Sequence, residues 1–334
     1  MLQYLGSLDY VTGLGKLERR GRLVLQAYKT LKRPVKYPPT ALTSEEEKLL
    51  KAVADTWRER SEKPNIYATK ERILKWLGED RDIGLDLLHL ESLGLIERVE
   101  GERVEYRPTY LGLELSKLPG LGRGASVEAV SALSKANSMD GVNETWVEEA
   151  FKTEVLGSQG PTKRGLMLLK ASQSGKYPVI MREEAAILKN MPERKSIHVE
   201  ELPDIGDKVK SVNRLVTRGL IDILPDNNYI LTDVGRLIKI ALVGVPSGIA
   251  TPIYPSLVKV LEAIDSLDTD DPIEIVRHTK LGLETIKTAF TIGRSAKYIG
   301  RSGRELTASG KAVLEASKLM MTRESPSSKK VEDY

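Results

Sequence analysis

Cysteine is absent from the 334 residues, and histidine occurs only three times, as His89, His198 and His278. The first absence excludes disulfides, thiolate zinc sites and cysteine nucleophiles together. The second leaves no histidine with a second ligand at metal spacing, so no metal and no cofactor is expected. Aromatic residues make up 5% of the chain, with two phenylalanines, so any core must come mainly from Leu, Ile, Val and Ala. Such a core suits small helical units better than large sandwiches. Long hydrophobic runs are missing too. The most apolar connector, residues 240–254, is too short to cross a bilayer and contains Pro246 and Pro252. Met1-Leu2-Gln3-Tyr4-Leu5-Gly6 lacks the basic and apolar regions of a secretory signal. The expectation is a soluble, cytoplasmic protein with no membrane partner. Hydrophobic residues at 40% and charged residues at 29% still allow a packed core. Scarce glutamine and abundant Lys, Arg and Glu also fit a thermophilic source.

What is present is a repeat. Leu17-Glu18-Arg19-Arg20-Gly21 is followed at intervals by Pro108-Thr109-Tyr110-Leu111-Gly112, Pro161-Thr162-Lys163-Arg164-Gly165, Leu231-Thr232-Asp233-Val234-Gly235 and Leu306-Thr307-Ala308-Ser309-Gly310. In the last four copies a threonine stands three residues before the glycine, and an apolar helical run follows. Threonine is a good N-cap, because its hydroxyl accepts a free amide of the first turn. Glycine one turn in lets that helix lie close against whatever precedes it. Before the second and fourth copies, Gly94-Leu95-Ile96-Glu97 and Gly219-Leu220-Ile221-Asp222 open pairs of strand-like runs around polar turns. Asp226-Asn227-Asn228 is good hairpin chemistry, and Gly300-Arg301-Ser302-Gly303 sits between Tyr298-Ile299 and Glu305-Leu306. Helical stretches lie upstream of each hairpin.

Helix, helix, helix, hairpin, helix is the order of a winged helix-turn-helix unit. The Gly-Leu-Ile-acid phrases resemble the junction from recognition helix to wing in that superfamily, and the closing Leu-Thr-x-x-Gly helix is typical of its archaeal and bacterial branches. The resemblance covers residues 44–118, 178–244 and 255–318 well, 120–175 poorly, and 1–30 only as a final fragment. As a whole, the chain is similar to uncharacterised archaeal proteins built from strings of such units. The expected fold class is therefore mainly α with short β-hairpins (α+β), arranged as tandem winged-helix domains. The expected divisions are an N-terminal helical fragment and Pro-rich linker (1–43), an acidic first winged helix (44–119), an abbreviated second (120–176), a third (177–245), a fourth with a basic face (246–318), and a disordered tail (319–334). Proline- and glycine-rich segments around 32–40, 118–124 and 244–252 read as linkers.

The resemblance implies nucleic-acid binding, with the third helix of a unit in the major groove and the wing on the backbone. Charge decides which unit suits that role. Residues 44–119 hold 13 basic and 17 acidic residues, and no complete unit is strongly basic, so the case rests on local faces. In the last unit a third helix is expected over 283–295. Ile286, Ala289, Phe290 and Gly293 form its inward stripe. Lys287, Thr288, Thr291 and Arg294 lie opposite, with Thr285 near the start, Lys280 before it and Arg301 and Arg304 at the hairpin. From Arg277 to Arg304 seven basic residues face one acidic residue, Glu284. Basic side chains neutralise phosphates, and short hydroxylated residues allow close approach to the duplex. In the third unit the expected helix over 207–218 buries Val209, Val212, Leu215 and Val216. Lys208, Lys210, Ser211, Arg214 and Arg218 are expected outward, with Asn213 at the margin.

The first unit points the other way. Its third helix, expected over 82–93, carries Asp82, Asp86, His89 and Glu91, with Leu85 and Leu88 outward, and its hairpin carries Glu97, Glu100, Glu102 and Glu105. An acidic surface repels a polyanion, so this region is expected to contact a protein partner, another copy or a neighbouring unit through Leu85 and Leu88. Lys163-Arg164 and the Arg19-Arg20-Arg22 cluster are further candidates for phosphate contact or for plain solvation.

Enzyme signals are poor. Gly13-Leu14-Gly15-Lys16 lacks the first glycine and the hydroxyl of a phosphate loop, having Tyr10 and Leu17 there. Gly120-Leu121-Gly122-Arg123-Gly124 has no strand before it. Asp268-Thr269-Asp270-Asp271 reads better as a helix start before Pro272 than as a calcium loop. The expectation is a non-catalytic protein that binds double-stranded DNA in transcription or chromatin. The alternative is a protein–protein scaffold in a transcription or chromosome-maintenance assembly.

Overall fold

The computed structural model describes residues 40–322, apart from 64–65, 102, 119–121, 135–142, 159, 172–176 and 225. The leading repeat copy with its arginines, Gly13-Leu14-Gly15-Lys16 and the tail beyond 322 lie outside the described residues. The described chain is mainly helical, with three two-stranded antiparallel sheets.

Four groups of elements follow one another. The first comprises α1 (Ser44–Glu62), α2 (Lys70–Leu77), α3 (Gly84–Ser92), the hairpin β1 (Ile96–Glu100) with β2 (Val104–Pro108), and α4 (Tyr110–Ser116). The second is shorter: α5 (Val127–Ser134), α6 (Glu144–Lys152), the pair β3 (Leu156–Gly157) and β4 (Gly160–Pro161), and α7 (Lys163–Ala171). In the third, α8 (Arg182–Asn190) leads through a 3₁₀ turn, Val199–Glu201, to α9 (Lys208–Thr217). The hairpin β5 (Ile221–Ile223) with β6 (Tyr229–Leu231) and α10 (Asp233–Leu242) complete it. The fourth holds α11 (Pro255–Leu267), α12 (Pro272–Thr279), α13 (Leu283–Ser295), a single bridge between Ile299 and Leu306, and α14 (Ala308–Thr322). Helix α14 thus runs past residue 319, where a tail was expected to begin.

The repeated Thr-x-x-Gly is one hydrogen-bonded lock, built four times. The glycine amide donates to the threonine hydroxyl at 3.1 Å for Gly112, Gly165 and Gly235, and at 3.2 Å for Gly310. Each hydroxyl in turn donates to a carbonyl ahead of the hairpin: Gly94, Glu154, Gly219 and Lys297. Those four residues all have positive φ, between 58° and 70°, and end the preceding helix turn. The next carbonyl, of Leu95, Val155, Leu220 or Tyr298, accepts the threonine amide at 2.9–3.1 Å. It also lies directly over the repeat glycine. A Cβ there would stand 1.9 Å from the Leu95 or Leu220 oxygen and 2.3 Å from that of Val155 or Tyr298. Only glycine lets the closing helix come this near, so each hairpin is clamped between two helices by backbone contact.

Where they are described, the linker segments 118–124 and 244–252 are held: the Val245 carbonyl, for example, accepts from Lys189 at 2.8 Å. Leu42 and Ala125 exchange both backbone bonds, and the Ile180 amide donates to the Ile253 carbonyl at 2.9 Å. The Gly122 and Gly124 amides donate to the Glu47 carboxylate, at 2.6 and 3.2 Å. Buried apolar residues from Ala41 to Met320 form one continuous cluster, with α10 packed along α14 between the third and fourth groups. Glycine and proline here permit tight chain reversals between shared surfaces, so their composition does not mark flexible joints.

Candidate nucleic-acid interface

Helix α13 follows from its sequence period. Ile286, Ala289, Phe290 and Gly293 are buried, and Gly293 receives the Ile299 side chain where any Cβ would collide with it. The opposite stripe is exposed: Lys287, Thr288, Thr291 and Arg294, with Lys280 at the C-cap of α12 and Arg301 and Arg304 on the following turn. Arg277, His278 and Lys297 are exposed on the same group and extend the basic surface. Lys287 pairs with Glu284 at 2.7 Å and Arg304 with Asp270 at 3.0 Å, both toward solvent, where such pairs are weak and exchange readily. Arg294 lies over the Phe290 ring. Thr288 and Thr291 donate to helix carbonyls one turn back, which leaves their oxygens able to accept or to lie flat against a groove wall. Asp271 caps α12 ahead of Pro272, as expected for a helix start.

Thr285 is the exception on this face. It is half-buried because the hairpin of the first group reaches it. The Glu100 carboxylate, at the end of β1, accepts from the Gly282 amide at 2.7 Å and from the Thr285 hydroxyl at 3.0 Å. Arg98 stands 3.1 Å from the other carboxylate oxygen, and the Glu100 side chain is 9% exposed. No sequence signal links residues 182 positions apart.

The third group's helix departs from expectation. Arg214 is 7% exposed and Arg218 2%, and Ser211 is buried with them, whereas Val209, expected inside, is 62% exposed. Arg214 donates to Glu46 of α1 at 2.8 and 3.1 Å and also binds Asp86 of α3. Arg218 forms a buried double contact with Glu184 of α8 and reaches the Val179 carbonyl. Lys210 is half-buried, 3.5 Å from Asp86, and Lys208 bonds the Leu202 carbonyl. The stripe assigned to DNA therefore faces the first group and its own core. A single helix wheel contains no information about a neighbour on its polar side, and this neighbour turned the helix.

The acidic helix α3 is the other half of that contact. Asp86 is buried and also bonds Arg81 at 2.6 Å. Burial alone would raise its carboxyl, but Arg81, Arg214 and Lys210 bring it below the usual range. His89, expected near the surface, is fully buried 3.9 Å from Glu46, and burial, with Arg218, Arg214 and Lys210 nearby, holds it neutral and well below its usual value. Leu85 is 40% exposed and Leu88 half-buried, so only Leu85 remains a clear outward apolar position. On the hairpin, Glu105 turns inward to Arg60 and the Ala68 amide, and Glu97 pairs with Arg107. Arg164 is likewise buried, on Glu47 and the Gly124 carbonyl, while Lys163 stays exposed.

Among the described residues no group of three or more His, Asp or Glu gathers as a metal set, and no helix is long and apolar enough to cross a membrane. Among the described residues these features define a mainly helical chain of four clamped groups, with an outward basic stripe on α13 and with Arg214 and Arg218 of α9 paired inside. The family described as a protein of unknown function, DUF505, matches residues 72–317, and the chain belongs to that family. No curated protein and no solved structure matches it.

Proposed function

We propose that the chain is a non-catalytic DNA-binding protein of tandem winged helices, acting in transcription or chromatin, in which α13 of the last unit seats on the duplex. The observation that carries this reading is the outward face of α13. It presents Lys287, Thr288, Thr291 and Arg294 around a buried apolar stripe, with Lys280, Arg301 and Arg304 beside it. Helix α3 and the Arg214 side of α9 are occupied by each other, so they are not offered to a duplex. The set of contacts is therefore narrower than the sequence suggested, and excludes Arg214 and Arg218.

The test is duplex affinity as a function of salt. Each phosphate neutralised steepens the dependence of log K on log salt by about 0.9. The wild-type chain should lose affinity steeply, and alanine at Lys287, Arg294, Arg301 and Arg304 together should reduce the slope by roughly 3 to 4. A wild-type chain without affinity for duplex, or with affinity that salt does not alter, would overturn the reading.

A further inference from the structure

We infer that the β1–β2 hairpin is a built-in competitor of the DNA backbone, with Glu100 holding the leading end of α13 in a closed state. The inference rests on α13 being the DNA-contacting helix. A recognition helix meets the major groove with its N-terminal residues, and a free helix amide with a hydroxyl beside it is suited to an anionic phosphate oxygen. In this chain that place is filled from within. One oxygen of Glu100 takes both the Gly282 amide and the Thr285 hydroxyl, and the carboxylate is almost closed off from solvent. The fit is close: a Cβ on Gly282 would stand 3.1 Å from that same oxygen.

The contact is also sited to block. Glu100 is the last residue of β1, paired with Val104 at the outer end of the hairpin, so the hairpin end lies against the start of α13. A duplex cannot occupy the same place. The basic residues further along α13, Lys287 and Arg294, stay exposed while the hairpin is down. They can make a first, weak encounter before the hairpin leaves. Apparent affinity then equals the intrinsic affinity scaled by the fraction of molecules in which Glu100 has let go. An acidic hairpin in a DNA-binding chain, which charge alone would count against function, becomes a regulator of it.

Two substitutions release the contact by different means. Glu100→Gln removes the charge and keeps the shape. Gly282→Ala keeps every charge and crowds the carboxylate oxygen, which must give way by a few tenths of an ångström and so weakens both bonds; Gly282 has φ −65°, which alanine adopts freely. Asp226→Asn, on the exposed turn of the third group, where among the described residues its carboxylate bonds only Asn228, controls for the general effect of removing one negative charge. Affinity for a duplex oligonucleotide is measured for all four full-length chains, with circular dichroism to establish folding. The expected result is about 5- to 20-fold tighter binding by Glu100→Gln, a smaller tightening in the same direction by Gly282→Ala, and little change for the control. Wild-type binding that neither variant tightens would overturn the closed state and leave the DNA reading in place. Tightening by Asp226→Asn equal to that by Glu100→Gln, with none from Gly282→Ala, would reduce the effect to bulk charge and overturn it too. If no chain binds duplex, the DNA reading fails and the inference falls with it.

Discussion

Glu91 shows how much a single side chain can depend on its surroundings. It sits on α3 beside Arg98, Tyr177 and Lys259, and burial pushes its carboxyl up to about 7 despite those two cations. An acid whose folded value is raised stabilises the fold fully below its unfolded value near 4.5, and that contribution is lost as pH rises through 7. Glu91→Gln should therefore be more stable than wild type at pH 8, by about 2 kcal/mol, and equal to it near pH 4. Urea unfolding at the two pH values checks this, and an equal shift at both would refute it. His89 has the opposite sign. Its depressed value means stability that is present above about 6.5 and lost as pH falls below it. None of this was legible in the sequence, where Glu91 and His89 read as residues of an outward acidic helix.

At the scale of elements, the closing helix and its hairpin are the best-specified parts of the chain. Thr232 and Gly235 could be recognised from spacing alone, and both behave as their chemistry requires: the hydroxyl caps and the missing Cβ makes room. Gly235→Ala would place a methyl 1.9 Å from the Leu220 carbonyl oxygen, which is backbone and cannot swing away. We expect a loss of about 2–4 kcal/mol, read as a lower denaturation midpoint. Gly101, where a Cβ meets nothing within 4 Å, should tolerate alanine far better. A loss at Gly235 no larger than at Gly101 would count against the lock. The extent of helix α13 was readable from its four-residue apolar stripe, and the structure ends it just before a positive-φ Lys297.

For the whole molecule, the decisive interaction is the buried cluster of Glu46, Asp86 and Arg214, which joins α1 and α3 to α9. Buried pairs add little net stability over an apolar substitute, but removing one partner strands the other. Arg214→Ala leaves Asp86 to Arg81 and Lys210 but strips Glu46 of its buried guanidinium, and should cost about 3–5 kcal/mol. Limited proteolysis should then cut more readily in the connection after residue 116, where the first group leads on towards the second. A variant as stable and protease-resistant as wild type would show that the cluster does not join the first and third groups. The sequence by itself determined the local units, because N-caps, glycine approaches and apolar periods act over a few residues. It also determined the basic stripe of α13, whose polar side meets solvent along most of its length. Only the tertiary structure decided how the units meet. Arg214, Arg218 and Asp86 look like surface charges on isolated helices, and Glu100 like a repelling one. Their roles come from partners 34 to 185 residues away, which no local pattern encodes. The physical reason is that a charge is read by what lies across from it, and that is a property of packing.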